Sequence, residues 1–196
     1  MKKLIKSFIQ FLDDTIFRWI VKLSWPEYKR QRTGHIRHIN VLRLYFIPQK
    51  IFRINGSIPW PVDFRSRVTG WKNIKKGIMC DPGDNPGLYI NAGGGLEIGN
   101  NVAFAANTTI TTTNHDMYNH SKPGKVKGVK IGDNVWVGAN CSIVAGVTIG
   151  SNVTIGAGCV IRENIPDNTV VVQSKDAIRF VKKRSYKWNC LEEELL

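Results

Sequence analysis

"IGDNVWVGANCSIVAGVTIGSNVTIGAGCVI", residues 131–161, decides the fold. Stepping by six from Ile131 lands on Val137, Ile143, Ile149, Ile155 and Ile161, a β-branched aliphatic residue every time. Three places after each of these six stand Asn134, Asn140, Gly146, Asn152, Gly158 and Asn164. Four places after stand Val135, Cys141, Val147, Val153, Cys159 and Ile165. In a chain with 16 Asn and 18 Gly among 196 residues, six hits in six such slots arise by chance roughly once in tens of thousands of trials, which settles the period. The same register runs earlier through Ile98, Phe104 and Ile110, with Asn101 and Asn107 in the third place.

The physics of the repeat follows from its residues. A β-branched side chain suits a pleated, half-buried strand. A recurring Asn or Gly suits a corner at which the backbone visits positive φ. Each six residues therefore read as one short strand and one corner, and such units bury their aliphatic side chains only by stacking on their neighbours. Residues 134–161 hold no charged side chain, but five Gly, three Asn and a period of six exclude a membrane-spanning helix.

The pattern breaks once. Between Ile110 and Ile131 lie 21 steps where three whole hexapeptides would take 18, so the register slips by three and a loop must leave the stack. That loop begins "TTTNHDMYNH" (111–120) and continues "SKPGKVKG" (121–128), and it holds two of the chain's four histidines. Loops held by a rigid scaffold are where chemistry concentrates.

"IGDNVWVGANCSIVAGVTIGSNVTIGAGCVIRENIPDNTVV" (131–171) and "GLYINAGGGLEIGNNVAFAANTTITTTNHD" (87–116) resemble the hexapeptide-repeat acyltransferases, especially the sugar and polysaccharide O-acetyltransferases, over about residues 58–172. The resemblance implies a mainly β chain built as a left-handed parallel β-helix, assembled as a homotrimer, with acetyl-CoA as acyl donor and no metal. It implies that His115, in the segment "NHD", is the general base. An imidazole is suited to take a proton near neutral pH from a hydroxyl attacking a thioester. Asp116 or a backbone carbonyl would fix the tautomer of His115; His120 reads as a loop surface residue or an acceptor contact.

For the donor, the resemblance matches Trp136 to a tryptophan beside the cofactor. It matches Ala139 and Ala157 to positions whose main chain meets the pantetheine arm, and Arg162 to a side chain near the phosphates. Packing between subunits is an equal reading for Trp136. The family's closing Gly-Asn-Pro turn is replaced here by "QSKDAIRFVKK" (173–183), which leaves Lys175 and Arg179 as substitutes for its basic contact. Asn91 corresponds to an asparagine near the acceptor hydroxyl whose amide could also donate to the oxyanion; a plain corner is its alternative. Loops 79–95 and 114–130 would build the acceptor pocket. The acceptor is expected to be a carbohydrate, anionic or lipid-linked, on the route to a cell-surface polysaccharide. An amine, amino-sugar or drug acceptor, and a non-catalytic scaffold, are the alternatives.

Two related readings fail on residues. Zinc hydratases of this shape need three histidines, and no histidine lies between His38 and His115 to join His115 and His120. Sugar-nucleotide transferases need a nucleotide-binding domain ahead of the β-helix. "AGGG" (Ala92–Gly95) has neither the following helix nor the Lys-Ser/Thr of a phosphate loop, so it reads as a tight corner.

Charge is unevenly spread. The chain has 28 Lys and Arg against 15 Asp and Glu, a formal net charge of +13, and residues 1–50 hold 11 of those bases against three acids. Three regions are expected: a basic helical region at 1–50, the β-helix at 51–172 with its insertion near 111–130, and an extension at 173–196. Residues 1–25 space Leu4, Phe8, Phe11, Leu12, Ile16, Trp19, Ile20 and Leu23 as an amphipathic helix ending before Pro26. Gln10 and Asp13-Asp14 interrupt the apolar run, which fits neither a signal peptide nor a membrane span. Such a helix docks on the β-helix or a neighbouring subunit, or makes peripheral contact with an anionic membrane. No nucleic-acid module is present. Cys141 and Cys159, one coil apart, should stack inward as small hydrophobes poorly aimed for a disulfide, and Cys80 and Cys190 have no evident partner. Cytoplasm, at large or at the inner membrane face, is the expected compartment.

Overall fold

The computed structural model describes residues 2–29, 37–115, 118–119 and 123–174. Along the β region the strands are, in chain order, β1 (Arg67–Thr69), β2 (Ile74–Lys76), β3 (Tyr89–Asn91), β4 (Leu96–Ile98), β5 (Val102–Phe104), β6 (Thr109–Thr111), β7 (Thr113–His115) and β8 (Pro123–Val126). They continue as β9 (Val129–Ile131), β10 (Val135–Val137), β11 (Ser142–Ile143), β12 (Thr148–Ile149), β13 (Thr154–Ile155), β14 (Val160–Ile161) and β15 (Val170–Val171). Three parallel sheets result, ordered β1-β3-β6-β11-β14, β2-β4-β9-β12 and β5-β10-β13-β15. From β4 to β14 the chain visits the three sheets in rotation, so successive coils stack one strand on each face. This is a parallel β-helix of triangular section.

Alternation along each short strand sends one side chain in and the next out. Val135 and Val137 are buried, whereas Trp136 between them is half exposed, at 52%. Ile90, Ile110, Ile143 and Ile161 face one another in successive coils of the first sheet, all buried. Cys141 and Cys159 lie in the same core as free thiols, and burial pushes the Cys141 thiol above its ordinary range.

The corners behave as the repeat predicts, with one correction. Asn101, Asn107, Asn134, Asn140 and Asn152 have φ of 55–60°, and Gly146 and Gly158 also take positive φ. Stacked corner amides form a ladder, because an amide can donate from one end and accept at the other. Asn101 Nδ2 donates to Asn134 Oδ1 (2.9 Å), Asn134 to Asn152 (3.1 Å) and Asn152 to Asn168 (3.1 Å). Asn164, expected at a left-handed corner, is not in that conformation; Asn168 is, at φ 58°. The last coil is two residues short, pairing Ile155 with Val171 rather than with a residue 18 on. Asn164 instead accepts a hydrogen bond from the Thr148 N–H through Oδ1 (2.8 Å).

The register break is also larger than a slip of three. Ile131 pairs with Ile149 and Val137 with Ile155, 18 residues apart, whereas Ile98 pairs with Ile131, 33 apart. The insertion is therefore 15 residues, which leaves the same remainder of three when counted in sixes. It leaves the prism as an antiparallel hairpin of β7 and β8, outside all three sheets.

Helices precede the coils. Residues Lys2–Ser24 form one helical rod: α1 (Lys2–Leu12), wider π-helical turns at Asp13–Phe17 and α2 (Arg18–Ser24). A second helical segment runs through α3 (His38–Val41) into π-helical turns at Leu42–Ile51, whose extra width accommodates Pro48, a residue without an N–H to give. Val21, Trp25 and Val41 form a small core between the two, with Tyr28, Leu42, Tyr45 and Phe46 packed on it. Buried Asp13 accepts from the Ile39 N–H through Oδ1 (2.8 Å). Buried Gln49 ties this pair to the coils: its Oε1 accepts from Trp25 Nε1 (2.8 Å) and from the Val62 N–H (3.1 Å), and its Nε2 donates to the Trp60 carbonyl (2.9 Å). The base of the helical region is thus docked. Among the described residues, no helix is long and apolar enough to cross a membrane.

Candidate active site

His115 ends β7, opposite Pro123 of β8, and its side chain is exposed outside the prism. The hairpin's root is held from the coil below. Buried Thr112 accepts from the Gly94 N–H (2.7 Å) and donates to the Asn91 carbonyl (2.9 Å) through its hydroxyl. Asn91 donates through Nδ2 to the Thr113 hydroxyl (2.8 Å), and its Oδ1 accepts from the Gly93 N–H (3.1 Å). The structure thus brings Asn91 to the foot of the strand that carries His115. One hydrogen of its NH2 is committed to Thr113.

Two glycines fix the close approach of these layers. A Cβ on Gly124 would lie 2.6 Å from the His115 carbonyl oxygen, and one on Gly94 would collide with the Thr112 carbonyl and the Val126 side chain. Ala92–Gly95 is the tight corner expected of it, closed by the Gly95 N–H donating to the Ala92 carbonyl (3.0 Å), with Gly95 at φ 93°.

Beside the hairpin runs a groove of about 900 Å³. Gly93–Gly95 and Val126–Lys130, parts of the two expected acceptor loops, line it. So do Lys72, Asn73, Lys75 and Glu97, which the sequence reading missed. Glu97 bridges Lys130 (3.3 Å) and Lys75 (4.0 Å) across neighbouring strands, and the exposed lysines outnumber it. Loop residues Asp81 and Asp84 instead line a separate cavity against α3 and the turns that follow it.

The expected donor residues fall on different edges of one chain. Trp136 is on the outer face of the β5-β10-β13-β15 sheet. Ala139 and Ala157 follow β10 and β13 at the corner leading to the first sheet, one above the other. The Ala139 carbonyl accepts from the Gly158 N–H (2.8 Å), and Gly138 lies so close to the Ala157 backbone that a Cβ there would sit 2.6 Å from its nitrogen. Gly138 is buried at this corner, Ala139 half-buried and Ala157 exposed. Arg162, exposed, leaves the first sheet after β14, on the edge from which the His115 hairpin departs two coils below. Asp116, His120, Lys175 and Arg179 lie outside the described residues, as does Cys190. Among the described residues no cluster of three His, Cys, Asp or Glu could hold a metal ion.

Residues 128–163 match the family model for the bacterial transferase hexapeptide, six repeats. That segment carries the hexapeptide repeat, and the fold is the left-handed parallel β-helix. Among solved structures it is similar to a galactoside acetyltransferase in complex with coenzyme A, at 23% identity over 79% of this chain and 92% of that one, with a TM-score of 0.52. It is similar to a maltose O-acetyltransferase from Clostridium difficile 630, at 36% identity over 62% of this chain, TM-score 0.48. It is also similar to a hexapeptide-repeat acetyltransferase from Vibrio cholerae complexed with acetyl coenzyme A, at 25% identity over 54% of this chain, TM-score 0.45. The chain spans 64% of the maltose enzyme's length and 62% of the Vibrio enzyme's. Comparison with curated proteins finds no match.

Proposed function

We propose that this chain is an acetyl-CoA-dependent O-acetyltransferase that acetylates a sugar hydroxyl of a cell-surface polysaccharide (capsule, exopolysaccharide or lipopolysaccharide) or of its precursor. It works in the cytoplasm as a homotrimer with His115 as general base. The observation that carries the reading is His115 on an exposed hairpin at the one large break in a hexapeptide stack, with Asn91 buttressing its strand. The fold likeness to a galactoside acetyltransferase with bound coenzyme A supports the donor.

In the reaction, the acceptor hydroxyl gives its proton to the His115 imidazole as its oxygen adds to the thioester carbonyl. The C–S bond then breaks, the acetyl ester remains on the sugar, and the imidazolium returns the proton to the leaving thiolate. A positioned base of this kind contributes about 10²–10⁴-fold. Asp116 or a backbone carbonyl holds the imidazole's other nitrogen. Asn91 keeps the strand in place and has its second amide hydrogen available for the oxyanion. Trp136, Ala139, Ala157 and Arg162 bind the donor, with Lys175 and Arg179 near its phosphates. Because Trp136 and His115 lie on different edges of one chain, a groove between subunits joins them, which is the reason for the trimer. The lysine-lined groove beside the hairpin suits an anionic carbohydrate.

The test is thiol release from acetyl-CoA across neutral sugars, anionic oligosaccharides and amines. Release well above hydrolysis with hydroxyl acceptors is expected, with acidic oligosaccharides preferred. Turnover with amines alone, or with no acceptor on such a panel, overturns the reading.

A further inference from the structure

The first helix is docked through Asp13, Val21 and Trp25, and among the described residues its large outward hydrophobes are not covered. Ile5, Ile9, Ile16 and Leu23 follow one another at intervals of four or seven along the rod, Phe8 lies three from Ile5 and Trp19 three from Ile16, and all are exposed, Phe8 at 61%, Trp19 at 62% and Leu23 at 79%. Solvated single hydrophobes are ordinary, but a contiguous stripe of large ones marks an interaction surface. The helix-to-helix contact uses Val21, Trp25 and Val41, so the stripe is not spent on this chain's own packing among the described residues.

Charge selects the occupant. Residues 1–50 contain 11 Lys and Arg and three acids. One of those acids, Asp13, is fully buried and held by Ile39 and His38. On the helix itself that leaves Asp14 against five bases, Lys2, Lys3, Lys6, Arg18 and Lys22, and Lys22 Nζ lies 5.3 Å from the ring centre of Trp19 itself. A second copy would bring an equally basic segment against this one, which like-charge repulsion opposes. A bilayer surface carrying anionic headgroups complements both halves: acyl chains for the stripe, phosphates for the lysines and arginines. Trp with a neighbouring cation suits the headgroup level, where a ring is half wet and half apolar.

We propose that the helix Lys2–Ser24 lies on an anionic phospholipid surface, with the stripe from Ile5 to Leu23 in the bilayer and the β-helix held at that surface by the Trp25–Gln49 joint. This goes beyond the acetyltransferase reading and does not depend on it.

The experiment is flotation of the full chain with vesicles of phosphatidylcholine alone and of phosphatidylcholine with phosphatidylglycerol. Binding is expected to the anionic vesicles at low salt and to fall at least tenfold at high salt, because the headgroup attraction is screened. The Phe8→Glu/Trp19→Glu double variant changes only exposed positions. It should keep the wild-type thermal melt and sedimentation mass and lose at least tenfold in vesicle binding. Brominated lipid should quench part of the wild-type tryptophan emission, and the Trp19→Phe variant, still bound, should lose that part. Absence of wild-type binding at low salt, equal binding by the double variant, or unchanged quenching in Trp19→Phe overturns the proposal. So does a double variant of lower oligomeric mass, which would make the stripe an interface between copies.

Discussion

The coils from Val129 to Ile161 and the hairpin from Thr113 to Val126 belong to one chain and obey opposite rules. In the coils every inward slot is filled by Val, Ile or Cys and stacks on its counterpart in the next coil, so each position is dictated by a neighbour 18 residues away. In the hairpin β7 pairs only with β8, and His115, Tyr118 and Val126 are exposed. A stack with a strict period can present only what the period allows, namely one outward side chain per strand and an Asn or Gly per corner. A group that must meet a substrate from above the surface needs residues the period does not claim. The break supplies them.

The contrast can be broken by mutation, starting with the stack. Ile155→Ala, at a fully buried site between Val137 and Val171, should cost about 2–5 kcal/mol in denaturant melts, because the cavity cannot collapse between fixed coils. Tyr118→Ala, at 97% exposure in the insertion, should change stability by less than about 0.5 kcal/mol. If the two cost the same, the stack is not what holds the chain.

The corners come next. Asn134→Ala forces a Cβ-bearing residue without a side-chain amide to hold φ 55° and cuts the ladder on both sides, for a loss of about 1–2 kcal/mol. Asn134→Gly should recover part of that loss, since glycine adopts the conformation freely. Asn164→Ala should cost less than Asn134→Ala, because Asn164 is outside the left-handed region.

At the hairpin's root the effect moves from stability to rate. Asn91→Ala removes the 2.8 Å bond to Thr113 and should lower kcat by up to about tenfold, in line with one hydrogen bond of about 0.5–1.5 kcal/mol, with a nearly unchanged melt.

The smallest effect is at Cys141. Burial raises its thiol pKa in the folded chain, so the folded state holds a proton that the unfolded state releases as pH rises past the ordinary thiol value of 9.0. Stability is therefore intact below that pH and declines above it. Replacing Cys141 with Ala should flatten the decline slightly in melts at pH 8 to 10.

How far the sequence could be read divides along the same line. Ile131, Val137, Ile143, Ile149, Ile155 and Ile161 report their own geometry, because each must face inward and the six-residue spacing has no other solution that buries them. The break at 111–128 was visible for the same reason, as a failure of that spacing. Its size was not, since counting by six sees 15 extra residues and three extra residues alike. Asn164 misled because a local pattern of Asn every six residues cannot register that the last coil is shortened; the pairing of Ile149 with Ile165 can. Thr112 and Thr113 left no signal at all. A threonine is an ordinary strand residue, and only the fold brings its hydroxyl to Gly94 or Asn91 from some twenty residues away. Lys72, Lys75 and Glu97 were missed likewise, because a groove across four coils has no image in any single segment.

The proposed role of His115, freed from the stack, is to take the acceptor's proton. It is tested most directly by kcat of His115→Ala in a thiol-release assay with acetyl-CoA and the best acceptor found, alongside its thermal melt and sedimentation mass. A loss of about 10²–10⁴-fold in kcat is expected, with melt and mass unchanged. A variant that folds and turns over within a few-fold of the wild type would contradict it.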